Sequence, residues 1–328
     1  PMKVIQVGIG GMGNAWLRAV QESPNVEYAA LVEVNDAIAA AQVERFNLQG
    51  IAVYRTLPEA LKAVEVDGVI NVTPPQFHQE VSVTALEAGI PVLSEKPLAD
   101  TFEAAQAIVD KANATGVLHM ITQNYRYRSA TQTLKQTLAS KAMGEIGSAT
   151  VEFFRGPHFG GFREEMPYPL IIDMSIHHFD LMRFFLDNDP VSVFGRSWNP
   201  PWSWYKGDAS ASVTLEFMNN VFVSYNGSWC SQGREIGWNA HWRFECERGV
   251  VFMEDDVVYT QPTGGAPAEV SPVKMERTEQ AYLLHEFYEA VTHGAQPATT
   301  SQDNIKSLAI VFDVVRSFET GQVVKSSA

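Results

Sequence analysis

A β-branched run, Val4-Ile5-Gln6-Val7, passes straight into Gly8-Ile9-Gly10-Gly11-Met12-Gly13 and then into a helical stretch from Asn14 to Gln21. A strand that turns into a helix through Gly-x-Gly-x-x-Gly leaves few folds open. Gly8 allows the tight turn, Gly10 lets a pyrophosphate approach the backbone, and Gly13 lets the helix pack closely on the strand. Gly11 and Met12 complete the turn, and the helix start that follows offers free N–H groups and a positive dipole end to an anion. A second apolar run, Tyr28-Ala29-Ala30-Leu31-Val32, ends in Glu33, 20 residues past Gly13. An acidic group at that distance suits a hydrogen bond to a ribose 2′-hydroxyl. Glu33 also repels a 2′-phosphate, so the expected cofactor is NAD, ahead of NADP. A glycine turn without ligand is the plain alternative.

The chain has 328 residues, 45% of them hydrophobic and 19% charged, enough for two domains with full cores. Its formal charge of −14 opposes the phosphate neutralisation that nucleic-acid binding needs, so no such partner is expected. Two cysteines, Cys230 and Cys246, are too few for a disulfide framework. With no apolar run of membrane-spanning length and a first strand that begins at once, the expected compartment is the cytoplasm.

From Met2 to about Met120 short β-rich runs alternate with helical stretches: Val26–Val32, Ala52–Tyr54, Gly68–Val72, Pro91–Leu93 and Val117–Ile121 are the later strands. That alternation implies an α/β fold, a doubly wound parallel sheet with ligands at the carboxyl ends of its strands. Two strand exits stand out there. Thr73-Pro74-Pro75-Gln76-Phe77-His78 is a loop stiffened by two prolines. Ser94-Glu95-Lys96-Pro97 puts an ammonium at the mouth of the cleft, where it can hold a substrate oxygen. A surface Glu-Lys pair remains the alternative.

Beyond Thr122 the pattern changes to β-rich runs joined by short polar turns, among them Ala149–Phe154, Pro190–Gly195, Ala209–Phe217 and Val221–Cys230. Such spacing describes an antiparallel sheet. The boundary separates residues 1–121 from residues 122–328 and leaves the C-terminal helix free to return to the first domain. A helix over Leu170–Leu186 carries Asp173, His177 and Asp180 at i, i+4 and i+7, on one face of an otherwise apolar surface. Ionisable groups there need partners or a cleft. His178, about 100° away, is expected to be structural, with His119, His285 and His293. No third ligand has the spacing to make a metal site with Asp173 and His177. The glycine-rich loop before the helix supplies Arg155, His158 and Arg163 as candidate substrate contacts. The aromatic stretch Trp198 to Tyr205 suits either a sugar-stacking surface or packing, the second being favoured.

The glycine turn, Glu33, Thr73-Pro74-Pro75-x-x-His78, Ala85-Leu86-Glu87-Ala88-Gly89, Glu95-Lys96-Pro97, Gly144-Glu145-Ile146-Gly147 and Asp173-x-x-x-His177-x-x-Asp180 together resemble the glucose-fructose oxidoreductase / inositol dehydrogenase / rhizopine catabolism (Gfo/Idh/MocA) family. The resemblance covers essentially the whole chain in order. It implies a Rossmann domain followed by an α+β domain with a large open, mostly antiparallel sheet. The implied activity is hydride transfer between a hydroxyl of a sugar or cyclitol and NAD or NADP. It assigns Lys96 to catalysis with Asp173 and His177 as the acid/base pair, and places Gly8, Gly10, Gly11, Met12, Gly13, Glu33, Thr73, Pro75, His78, Glu95 and Lys96 at the cofactor. Lys96, Arg126, Arg155, His158, Arg163, Asp173 and His177 are then the candidate substrate contacts. The chain departs from the family pattern at Pro169-Leu170-Ile171-Ile172, where paired glycine is usual, and after Arg126, where a proline is missing. A redox-neutral enzyme with tightly held NAD, or a non-catalytic sensor of NAD or sugar, are the rival functions. A homodimer or homotetramer through the open sheet is the implied assembly, with no membrane partner.

Overall fold

The computed structural model describes residues 1–327, which divide into two compact units. The first comprises residues 1–124 and 277–305, and the second residues 125–276 together with the chain from residue 306 onward.

The first unit is built on β1 (Met2–Val7), β2 (Val26–Val32), β3 (Ala52–Tyr54), β4 (Gly68–Asn71), β5 (Val92–Ser94) and β6 (His119–Ile121). These pair in the order β3-β2-β1-β4-β5-β6, every pair parallel. Strands so apolar that β4 is buried throughout need cover on both faces, and five helices between them supply it. Helix starts are set locally: Asn35 caps Asp36–Arg45 and Thr101 caps Phe102–Thr115, while Thr56 and Glu59 form a reciprocal capping box. Chain order reverses between β1 and β4, which opens a crevice at their carboxyl ends.

Residues 277–305 group with this unit; the sequence reading places them within residues 122–328 and leaves only the C-terminal helix free to return to the first domain. The reason is backbone pairing and close packing. The Ile121 N–H donates to the Thr299 carbonyl at 2.7 Å, and Gly68 leaves room for the Phe287 ring, which a Cβ would meet at 2.8 Å.

The second unit carries β7 (Ile146–Phe154), β8 (Pro190–Trp198), β9 (Ser210–Phe217), β10 (Phe222–Ser228), β11 (His241–Cys246), β12 (Gly249–Glu254), β13 (Val257–Pro262), β14 (Ala268–Glu269) and β15 (Val324–Lys325). Their order is β14-β13-β12-β11-β7-β10-β9-β8-β15, antiparallel except for β7 with β10. The stretch from Pro262 to Pro272 contributes the short edge strand β14. Strand residues alternate: Val151, Phe153, Val213, Leu215, Val223 and Tyr225 are buried, while Thr150, Glu152, Thr214 and Ser224 are exposed. Helix Ser175–Leu186 covers the buried face, with Phe179 against Tyr225 and Phe185 against Trp242 and Phe244. The opposite face stays open and carries Phe194, Trp198 and Phe222 among its polar residues.

Candidate functional site

In the first unit the glycine turn has the geometry its residues require. Gly8 sits at φ +88°, and a Cβ there would lie 2.7 Å from the Val72 carbonyl oxygen. At Gly13 a Cβ would come within 3.0 Å of the Gly8 carbonyl oxygen, so the helix packs tightly on the turn. Gln6 fastens it from below, its side-chain amide donating to the carbonyls of Gly8 and Gly13. Gly10 and Gly11 by contrast have nothing within 4 Å of a Cβ position. The helix Gly13–Glu22 starts without a side-chain cap. Open backbone, uncapped N–H groups and a dipole end together fit a dinucleotide pyrophosphate. Glu33 is held over this turn: one carboxylate oxygen accepts from the Ile9 N–H at 3.2 Å and the other from the Asn35 N–H at 3.0 Å.

Two residues expected at the cofactor, His78 and Glu95, brace the loops around it. His78 has no accessible surface, and its ring nitrogens lie 2.8 Å from the carbonyl oxygens of Pro97 and Thr73. Burial lowers its pKa. A ring with no exposed atom cannot touch a ligand, so His78 ties the Thr73–Pro75 loop to the Lys96–Pro97 segment. Glu95 is also buried, and its carboxylate accepts from Trp16 Nε1 at 2.7 Å, Thr122 Oγ1 at 2.8 Å and the Lys96 N–H at 3.1 Å. It therefore joins the first helix to the exits of β5 and β6, and it fixes the backbone that carries Lys96. Thr73 stays partly exposed at its strand exit, its hydroxyl donating to Asn71 Oδ1 at 2.7 Å.

In the second unit the helix expected over Leu170–Leu186 is two pieces: a π-helical turn over Leu170–Met174, then an α-helix over Ser175–Leu186. A wide turn adds a residue to the hydrogen-bond ladder, so the i, i+4, i+7 count across it does not hold. The three ionisable side chains accordingly meet different partners. Asp173 accepts from Arg163 Nε at 2.6 Å. Asp180 is buried in a fork–fork pair with Arg126, both contacts 2.7 Å, and also accepts from Ser307. This corrects the placement of Arg126 as a substrate contact: the side chain is 7% exposed and its guanidinium is spent on Asp180.

His177 stacks on Tyr125, ring centroids 3.9 Å apart and planes 12° apart. The Arg128 guanidinium carbon lies 3.6 Å from the same Tyr125 centroid. Two groups so close to one ring centre cannot share a face, so Tyr125 is sandwiched between them. The stack covers one imidazole face and gives a direction to the ring edge, where both nitrogens lie. Neither Tyr125 nor Arg128 is singled out by the sequence, although both follow the exit of β6, the kind of position where ligand-facing groups collect.

His178 is structural, as expected. Its Nε2 lies 3.0 Å from the Trp238 carbonyl oxygen and must be the protonated nitrogen, so Nδ1 accepts from the Tyr225 hydroxyl at 3.1 Å. Burial pushes its pKa down to about 4. The loop before the π turn brings Arg155 over Trp238 at 4.5 Å and His158 onto Trp204 at 3.7 Å. Trp204 and Tyr205 in turn donate to the Pro157 carbonyl, so much of the aromatic stretch anchors this loop.

The description "Oxidoreductase family, NAD-binding Rossmann fold" matches residues 2–123, and "GFO/IDH/MocA C-terminal domain" matches residues 131–252. The chain is similar to a 1,5-anhydro-D-fructose reductase of Ensifer adhaerens, 27% identical over 80% of each chain. It is also similar to a scyllo-inositol 2-dehydrogenase (NAD(+)) of Bacillus subtilis, 27% identical over 97% of this chain and 94% of the other. A crystallised oxidoreductase of Agrobacterium radiobacter, in complex with NAD+, L-tartaric acid and magnesium, shares the fold with a TM-score of 0.89 at 20% identity, covering 99% of this chain and 98% of the other.

Proposed function

The chain belongs to the GFO/IDH/MocA oxidoreductase family, and on that premise we propose that it transfers a hydride between a hydroxyl of a sugar or cyclitol and a nicotinamide cofactor, NAD in preference to NADP. The observation that carries the reading is the imidazole of His177, mounted at the start of an apolar helix with its edge directed by the Tyr125 stack. Relatives named as an inositol dehydrogenase and an anhydrofructose reductase support the substrate class.

Gly8, Gly10, Gly11, Met12, Gly13 and Glu33 would hold the dinucleotide, with Thr73 and Pro75 at the neighbouring strand exit. When bound, it supplies the site that accepts or returns the hydride. The remaining work falls to the side chains. His177 takes the hydroxyl proton on its imidazole, whose ordinary pKa near 6.5 lies close to working pH; a positioned base contributes roughly 10²–10⁴ in rate. Asp173 balances the charge that the imidazole acquires. Lys96 donates to the substrate oxygen and stabilises its alkoxide character. Glu33 decides the cofactor: a 2′-phosphate beside it would cost about 1 kcal/mol per pair of charges at 4 Å in water and about 4 kcal/mol near a protein surface.

The test is NADH or NADPH formation from a panel of sugars, cyclitols and sugar acids with NAD and NADP in parallel, run on the native chain and on Lys96→Ala and His177→Ala. Both variants are expected to bind NAD within a few-fold of the native protein while kcat drops by roughly 10²–10⁴. Near-normal turnover in either removes that residue from the mechanism.

The open face of the nine-stranded sheet, with Phe194 at 36% exposure, Phe222 at 44% and Trp198 at 47%, is our proposed surface for a homodimer or homotetramer. Light scattering on the purified chain is expected to give a mass at least twice that of one chain; a single-chain mass at micromolar concentration overturns the assignment.

A further inference from the structure

The loop that joins β7 to the π turn ends in a guanidinium only partly engaged by the protein. Arg163 Nε donates to Asp173 Oδ2 at 2.6 Å, and the guanidinium carbon lies 5.1 Å from the ring centre of Phe159 and 4.8 Å from that of Phe162. Among the described residues, no acceptor meets its terminal nitrogens Nη1 and Nη2. The side chain is 31% exposed, so a ligand can reach it. The loop that carries it is tied down. The Pro157 carbonyl accepts from Trp204 Nε1 and the Tyr205 hydroxyl, and the Gly160 N–H donates to Glu164 Oε1 at 2.9 Å. A guanidinium tethered at Nε by Asp173 and lying near two rings loses less freedom on binding than a free one, which favours recognition.

The unused edge presents N–H donors in a fixed fork and therefore asks for two neighbouring oxygen acceptors. Charge decides which kind. Arg163 is already matched by Asp173, Arg155 lies 3.5 Å from Glu235, and Lys206 pairs with Glu165 at 2.8 Å. A carboxylate on this fork would stand beside Asp173, whose charge opposes it. A pair of hydroxyls meets the same fork without that repulsion. Phe159 and Phe162, 44% and 65% exposed, offer apolar surface to the C–H face of a ring.

We propose that Arg163 is a specificity-determining residue: Nη1 and Nη2 donate to two adjacent hydroxyl oxygens of a neutral polyol, while Nε holds Asp173 in position. This rests on the hydride-transfer reading and narrows its substrate to a neutral vicinal diol, against sugar acids.

The test is calorimetric binding of glucose, 2-deoxyglucose, 3-deoxyglucose, myo-inositol and glucuronate to the NADH-bound protein, with turnover followed separately. The native chain is expected to bind glucose roughly tenfold to a hundredfold more tightly than at least one deoxy sugar, and more tightly than glucuronate. Arg163→Met should erase that discrimination. Arg163→Lys, which keeps a cation beside Asp173 but no fork, should recover kcat and leave KM raised. Phe162→Ala, a change at an exposed ring, should weaken all neutral polyols alike. Discrimination that survives in Arg163→Met, tighter binding of glucuronate than of glucose, or no binding of any neutral polyol overturns the proposal. Binding is read without turnover, so the two readings can fail separately. A chain that discriminates but forms no NADH loses the reaction and keeps this assignment; one that oxidises polyols with unchanged discrimination in Arg163→Met does the reverse.

Discussion

Asp173 and Asp180 lie seven residues apart in one segment, and the surrounding structure gives them different duties. Asp180 sits in a buried pair with Arg126, both side chains under a tenth exposed, and the pair is closed by Ser307. Removing one partner strands the other charge. Arg126→Met is therefore expected to cost about 3–5 kcal/mol in urea unfolding, and Asp180→Leu placed on top of it should restore much of the loss. A loss below about 1 kcal/mol would show that water relieves the stranded carboxylate. Asp173 is partly exposed, and its Arg163 contact leaves it within reach of a ligand. Nothing in the local sequence separates these two aspartates, because each role is set by an arginine 10 or 54 residues away. Tyr125 was hidden for the same reason: it acquires its role only by stacking on a ring 52 positions later.

At the scale of elements, the glycine turn was legible because its requirement is local. Each glycine answers a backbone need that no side chain can meet, and the answer is visible in the residue type. The consequences of substitution differ along the turn. Gly8→Ala adds a Cβ 2.7 Å from a backbone carbonyl at φ +88°, so the melting temperature should fall along with NAD affinity. Gly10→Ala adds a Cβ that meets nothing within 4 Å, so stability should stay within about 0.5 kcal/mol while NAD affinity drops at least tenfold. Equal NAD affinity in Gly10→Ala, measured by calorimetry, would move the pyrophosphate away from this turn. The π turn over Leu170–Met174 was not legible. Its apolar run reads as ordinary helix, and the extra residue in its ladder is a choice made by the contacts on either side.

Among the described residues, burial lowers the pKa of three histidines, His78, His119 and His178, and the last two carry the largest shifts. Burial pushes His119 down to about 3, with His78 nearby adding to the effect, and pushes His178 down to about 4, against an ordinary 6.5. Both are neutral in the fold, while the unfolded chain takes up their protons below about pH 6.5. Their contribution is thus complete above that pH and is lost as the pH falls toward about 4 for His178 and about 3 for His119. Each should steepen the loss by about 1.4 kcal/mol per pH unit within its window. Comparing denaturant midpoints from pH 7.5 to 5 in the native chain and in His178→Gln should show a flatter slope in the variant; parallel slopes would mean that His178 titrates normally in the fold. The alternation of strand and helix, the switch to an antiparallel sheet, the glycine turn with Glu33 and the apolar helix bearing His177 were all written in residue order, because each depends on neighbours within a turn or a strand. Tertiary structure alone decided that residues 277–305 pack with the first unit, that His78 and Glu95 brace loops, that Arg126 is spent on Asp180 and that Arg163 holds Asp173. Those outcomes are contacts between distant segments, and a contact of that kind is settled by which surfaces fold together, a property no single stretch of sequence carries.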